Sequence, residues 1–159
     1  MAESVISLPD KMREEMSYTA KRVSDQAHQE LTPEWIYQIF CDSYINVDKK
    51  FHITECHFVQ EDGIQAKATV ESEGRTAVIN GQGNGRLDAV SNAIRSYLDV
   101  DYELVDYEQH SLTKGSSSKA VSYVSITKDG QNFWGVGIDE DIIKSSYQAL
   151  EVAVNKILD

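Results

Sequence analysis

A chain of 159 residues with 41% hydrophobic positions and a formal net charge of -11 can form one domain, or a domain with a small appendage, around a real core. The acidic balance argues against non-specific binding to nucleic acid or to an anionic membrane surface. No apolar run approaches the roughly 18 residues of a membrane span, and MAESVISLPDKMREEM lacks the basic flank and apolar segment of a secretory signal.

The first fifty residues carry helical periodicity. Leu8, Met12, Met16, Ala20 and Val23 recur at spacings of three and four, after Ser7 and Pro9 as a capping hydroxyl and a first-turn proline. The polar stretch SDQAHQELTP breaks the pattern. Thr32 and Pro33 repeat the start signal, and Trp35, Ile36, Ile39, Phe40 and Tyr44 form a second apolar stripe before the charged connector VDKK at 47–50. Residues 1–50 are expected to form a small helical subdomain.

From residue 51 the period changes to two. In IQAKATVES, Ile64, Ala66, Ala68 and Val70 share one face while Gln65, Lys67, Thr69 and Glu71 share the other. FHITECHFV before it and RTAVIN after it read as further strands, set off by the turn signals EDG and EGR. A helix follows, striped by Leu87, Val90, Ala93, Ile94, Tyr97 and Leu98. The same order recurs in DYELVDYEQH, KAVSYVSIT and QNFWGVG, with the turn KDGQ joining the last two. A final helix carries Ile142, Ser146, Ala149, Leu150, Ala153 and Ile157 on one face. The expected fold is therefore α+β, with two βββα units at 51–100 and 101–159 related by an internal pseudo-two-fold.

The junction VINGQGNGRLDAV at 78–90 carries Gly81, Gly83 and Gly85. It is not the GxGxxG of a dinucleotide site, because its spacing is GxGxG and position 86 is Arg, and no GK[ST] makes it a phosphate loop. Two readings remain open on the residues alone. The glycines, at a strand-to-helix corner, permit positive φ and close backbone packing. Alternatively, the helix N-terminus offers free N–H groups and partial positive charge to a carboxylate, with Asp88 available to an ammonium group.

Metal and catalytic signals are absent from the sequence. His28, His52, His57 and His110 form no HxH pair, and His52 and His57, five apart in a strand-like run, are expected on opposite faces. His110 reads first as a structural histidine. Cys41 and Cys56 have no CxxC or metal spacing and read as free thiols of a reducing cytoplasm. No catalytic residue, metal site or cofactor is expected.

GQGNGRLDAV at 81–90, DYEQHSLTKGSSSKAVSYV at 106–124 and FWGVGIDEDIIKSSYQALEVAVN at 133–155 together resemble the C-terminal regulatory (dimerisation) domain of the 2-isopropylmalate synthase family. LPDKMREEM through LTPEWIYQIF at 8–40 resembles the helical linker subdomain that precedes it. The resemblance implies a cytoplasmic homodimer that binds leucine as feedback inhibitor of leucine biosynthesis. It also implies a partner catalytic barrel, holding the divalent metal and the acyl-transfer chemistry, N-terminal in the same polypeptide. This chain is then expected to have no synthase activity by itself, whether it is an excised piece or a split gene product. Two rival readings are a purely structural dimerisation domain and the isoleucine-binding regulatory domain of a related citramalate synthase.

Carried over residue by residue, the resemblance assigns Gly83, Asn84 and Gly85 to backbone contacts with leucine. It assigns Leu87 and Asp88 in the first helical turn, Tyr107 and Ser111 in the next strand, Ser118 and Ala120 in the strand after, and Ile138 at the last corner. Leu87, Ala120 and Ile138 would receive the isobutyl group. The sequence departs from the family at Arg86, where proline is usual, and at Ser116, Ser117 and Ser118, where acidic residues and alanine are common.

Overall fold

The computed structural model describes residues 8–47, 49–111 and 119–158. Helices α1 (Asp10–Ala27) and α2 (Pro33–Tyr44) precede two units: β1 (Phe51–Gln60), β2 (Ile64–Ser72), β3 (Arg75–Gly83) and α3 (Arg86–Leu98), then β4 (Glu103–Ser111), β5 (Ala120–Lys128), β6 (Gln131–Asp139) and α4 (Ile142–Ile157). Each unit is a three-stranded antiparallel meander followed by a helix. The α+β class and the doubled βββα order are those the alternation predicts.

The N-terminal helices depart in detail from the stripes read in the sequence. Pro9 is the N-cap of α1, and Ser7 lies outside the described residues. The segment SDQA does not break α1, which runs through Ala27. It stops only at His28, whose left-handed φ of 55° lets its N–H reach the Ser24 carbonyl. Met12 and Met16 are the buried residues of α1. Thr32 caps α2 as expected, its hydroxyl accepting from the Trp35 N–H at 3.1 Å ahead of Pro33. Ile36 is 40% exposed. Tyr37 takes its place at the core, with its ring 6.2 Å from that of Phe40.

Two apolar clusters result. The first gathers the inner face of the β1–β3 sheet, α3, α4, and Val124 and Ile126 from β5. The second lies on the opposite face of the β4–β6 sheet. There Val121, Tyr123, Trp134 and Val136 meet Met12 and Met16 of α1 and Ile39, Phe40 and Tyr44 of α2. The second sheet is thus covered on both faces, which is why β5 is buried from Ala120 to Ile126. α4 packs on β5 and β6 and also reaches β1 of the other sheet. The apolar stripe read from its sequence understates this, because every residue from Ala149 to Asn155 is buried. Ile142, counted in that stripe, is 50% exposed at the first turn.

A β-bulge interrupts both meanders at the same point of the first strand, between Ile53 and Glu55 and between Leu104 and Asp106. An extra residue reverses the alternation. In β1, His52 then pairs opposite Glu71 and His57 opposite Lys67, both partners on the outer face of β2. The expectation of opposite faces is corrected: strict alternation holds only without a bulge. Among the described residues no group of three His, Cys, Asp or Glu side chains is gathered in a metal-binding arrangement. Nor is any helix among them long and apolar enough to cross a membrane.

Candidate functional site

The glycines come first. Gly81 and Gly83 lie within β3, and Gly135 and Gly137 within β6, so none of them is in a corner loop. None has positive φ; that conformation belongs to Gly63, Gly74 and Gly130 in the turns. Close approach is what these four positions require. A Cβ on Gly81 would meet the Ala89 carbonyl and stand 2.5 Å from the Ala93 nitrogen. One on Gly135 would meet the Ala149 carbonyl and stand 2.7 Å from the Ala153 nitrogen. Gly83 and Gly137 are blocked in the same way by Ala89 and Ala149 nitrogens at 2.7 Å and 2.8 Å. Paired small residues let each helix lie with its backbone directly on its strand. Gly85 differs: it is the N-cap of α3, its φ of -141° is open to any residue, and a Cβ there meets nothing within 4 Å.

The two helix starts are built differently. At α4 the N-cap Asp141 carboxylate accepts from the Ile143 and Lys144 N–H groups at 2.9 Å and 3.3 Å. At α3 the cap residue is Gly85, which has no side chain to accept. The nearest carboxylate, Asp88, turns back and accepts the Asn84 N–H at 3.0 Å. That places one negative group at the corner, as the helix dipole favours.

A polar lining occurs where β4 and β5 pass the start of α4. The Gln109 side-chain amide donates to the Ser122 hydroxyl at 2.9 Å and to the Ile142 carbonyl at 3.0 Å. The Ser122 and Ser145 hydroxyls are bonded at 2.7 Å, and both residues are fully buried. The Tyr107 phenol is bonded to Ser146; burial pushes its pKa up, and that bond lowers it in part. At the same register of the first unit Ile64 stands opposite Gly83 where Ser122 stands opposite Gly137, and Phe58 and Gln60 take the places of Tyr107 and Gln109.

The profile of the LeuA allosteric (dimerisation) domain matches residues 30–158. The chain belongs to this family. It is 41% identical over 162 residues to a 2-isopropylmalate synthase of Helicobacter hepaticus, covering 96% of this chain and 29% of that protein. It is 43% identical over 154 residues to one of Desulfitobacterium hafniense, covering 96% of the chain and 28% of the protein. A third, from Rhizobium meliloti, is 31% identical over 159 residues, covering 97% of the chain and 28% of the protein. The LeuA domain chain therefore spans under a third of the length of the curated relatives it matches.

Within this LeuA domain the carried-over positions fall into separate groups. Gly83, Asn84, Gly85 and Asp88 share the α3 corner, and Leu87 turns into the core at 7% exposure. Tyr107, Ser111 and Ala120 share the α4-facing side of the second sheet. Ser111 pairs opposite Ala120, and Ala120 alternates in step with Ser122. Ile138 instead packs with Val121 and Tyr123 in the cluster beneath α1 and α2, on the other face. Ala120 and Ile138 thus do not line one pocket within a single chain. Ser116, Ser117 and Ser118 lie outside the described residues. His110 stands by Tyr123, ring centroids 5.8 Å apart, and 3.8 Å from Glu108. Gln109, Ser122 and Ser145 were absent from the expected set. The sequence signal for them was a serine on the apolar face of β5 and the Ser145–Ser146 pair opening α4.

Proposed function

We propose that this LeuA domain is the leucine-responsive feedback and dimerisation module of a 2-isopropylmalate synthase, and that it has no acyl-transfer activity of its own. The observation that carries the reading is the family match over residues 30–158 combined with the α3 corner. There the helix begins at a glycine without a capping side chain and with open space above it. The N–H groups of a first turn have no intrahelical partners, and a carboxylate suits them. The Tyr107 and Ser111 side of the second sheet supplies hydroxyls, and a second copy of the chain in a homodimer would supply the apolar contacts that Ile138 cannot make within one chain. Calorimetric titration with leucine, isoleucine and valine tests this. The expected result is leucine binding in preference to the others, lost in Gly85→Asp, a position where a side chain has room. A normal leucine isotherm in Gly85→Asp removes the α3 corner from the site.

One observation favours a second reading, a dimerisation domain without ligand. The Asp88 carboxylate already takes the Asn84 N–H, so a ligand carboxylate must share the corner with it. Under that reading sedimentation gives a dimer with or without leucine, and no leucine isotherm appears.

A further inference from the structure

β1 is an edge strand of the first sheet, so half of its backbone N–H groups have no strand partner. At its start they are taken up by side chains of α4, the helix of the other unit. Asn155 Oδ1 accepts from the Lys50 and Phe51 N–H groups at 2.7 Å and 2.9 Å, while its amide donates to the Phe51 carbonyl at 2.7 Å. Glu151 Oε1 accepts from the Ile53 N–H at 2.5 Å and lies 2.9 Å from His52 Nδ1. Its Oε2 has no hydrogen bond of good geometry, and the Lys49 ammonium 2.8 Å away compensates it. Glu151 and Asn155 are one helical turn apart and both buried, at 0% and 2% exposure. A buried carboxylate costs stability unless fully compensated, so its presence here points to a task beyond filling space.

The next residue of α4 grips the helical pair. The Lys156 ammonium donates to the Trp134 carbonyl at 2.5 Å and stands 4.5 Å above the Tyr44 ring, at the end of α2. The Tyr44 hydroxyl in turn donates to Glu15 of α1 at 2.8 Å. Both ends of the 45–50 connector are therefore held by the same two turns of one helix. The first turns of that helix touch Tyr107 through Ser146, Gln109 through the Ile142 carbonyl and Ser122 through Ser145.

We propose that the last two turns of α4 are a coupling joint: Glu151 and Asn155 on the start of β1, and Lys156 on the end of α2, make the helical pair follow any displacement of α4. The use of this joint by leucine rests on the effector reading above; the joint itself does not. Amide hydrogen exchange read by NMR on the whole chain tests it, with Lys156→Met and Asn155→Ala as variants and Glu151→Gln as a milder third should Asn155→Ala fail to fold. Each variant should raise exchange by about tenfold or more at the segment it does not touch. Lys156→Met should do so at Phe51 and Ile53, and Asn155→Ala or Glu151→Gln at Ile39 to Tyr44, with β2 and β3 unchanged. A rise confined to each variant's own contacts overturns the joint. A rise spread evenly over β2 and β3 also overturns it, because the side chains then merely hold the fold. With leucine added, wild-type α2 should gain protection and the variants should not, at unchanged calorimetric affinity. Failure of the wild-type chain to bind leucine defeats the effector reading alone, and the exchange pattern without ligand still decides the joint.

Discussion

Gly135→Ala is the sharpest perturbation of this fold, because the added carbon meets backbone on the helix side. Its Cβ would collide with the Ala149 carbonyl and stand 2.7 Å from the Ala153 nitrogen. Ordinary contacts of carbon need about 3.5–4.0 Å, so α4 must lift from β6 by roughly 1 Å. That helix has little room to move, being packed on β5, β6 and β1 at once. Overpacking costs about 1–3 kcal/mol, and the upper end applies where backbone must shift. For a chain of this length about 3 kcal/mol corresponds to a fall of roughly 6–12 °C in Tm. Gly85→Ala is the control, since its φ of -141° and empty surroundings accept a methyl. It should shift stability by no more than about 1 kcal/mol, because the gain through the unfolded chain is offset by alanine's poorer fit to an N-cap. Calorimetric melts of the two variants beside the wild type give the comparison. A Gly135→Ala protein melting within about 2 °C of wild type would refute the claim that helix and strand backbones are in direct contact. Gly83→Asp would be a poor test of ligand binding, because its Cβ would stand 2.7 Å from the Ala89 backbone nitrogen.

Asp141→Ala removes the acceptor of two α4 amides and should cost about 1 kcal/mol, a Tm drop of roughly 2–4 °C, seen in the same melts. Burial lowers the Lys156 pKa from 10.5 to about 8, with Glu15 opposing the shift. Folding then expels a proton between those values, and stability rises with pH across that window. Wild type should therefore gain on Lys156→Met between about pH 7 and about pH 9.5; a constant gap in Tm would show that the ammonium is not desolvated. Burial pushes Cys56 up to about 11, so alkylation near pH 8 should be roughly a hundredfold slower in the folded chain than in urea, as mass spectrometry of the Cys56 peptide would reveal.

Element order was legible because β2 alternates cleanly around Ala66, Ala68 and Val70, and because turn residues separate the strands. The helices announced themselves through their stripes and through Thr32 and Pro33. What escaped notice depends on contacts that sequence spacing does not carry. The bulge after Ile53 has no residue signature, yet it decides which side His57 occupies. At Gly83 the residues alone left close packing and a ligand cradle both open, and only the structure shows how near Ala89 comes. Glu151 and Asn155 fell on what an amphipathic reading calls the wet face of α4, and they are buried because β1 comes from a different unit to meet them. Ile138 was grouped with Ala120 by family position, and strand alternation separates them.

The bonds from Asn155 to Phe51 and from Glu151 to Ile53 join residues 104 and 98 positions apart. On a ribosome adding about 5–20 residues per second, roughly 5–20 s pass between making the strand and making its partners. Through that interval the β1 edge offers bare amides to any neighbouring strand, the usual start of misassembly. A premature stop or a protease cut just ahead of Glu151 would release a chain with all six strands present and that edge permanently open. For this fold the closing helix is also the safeguard against aggregation, and it is made only after the strands it protects.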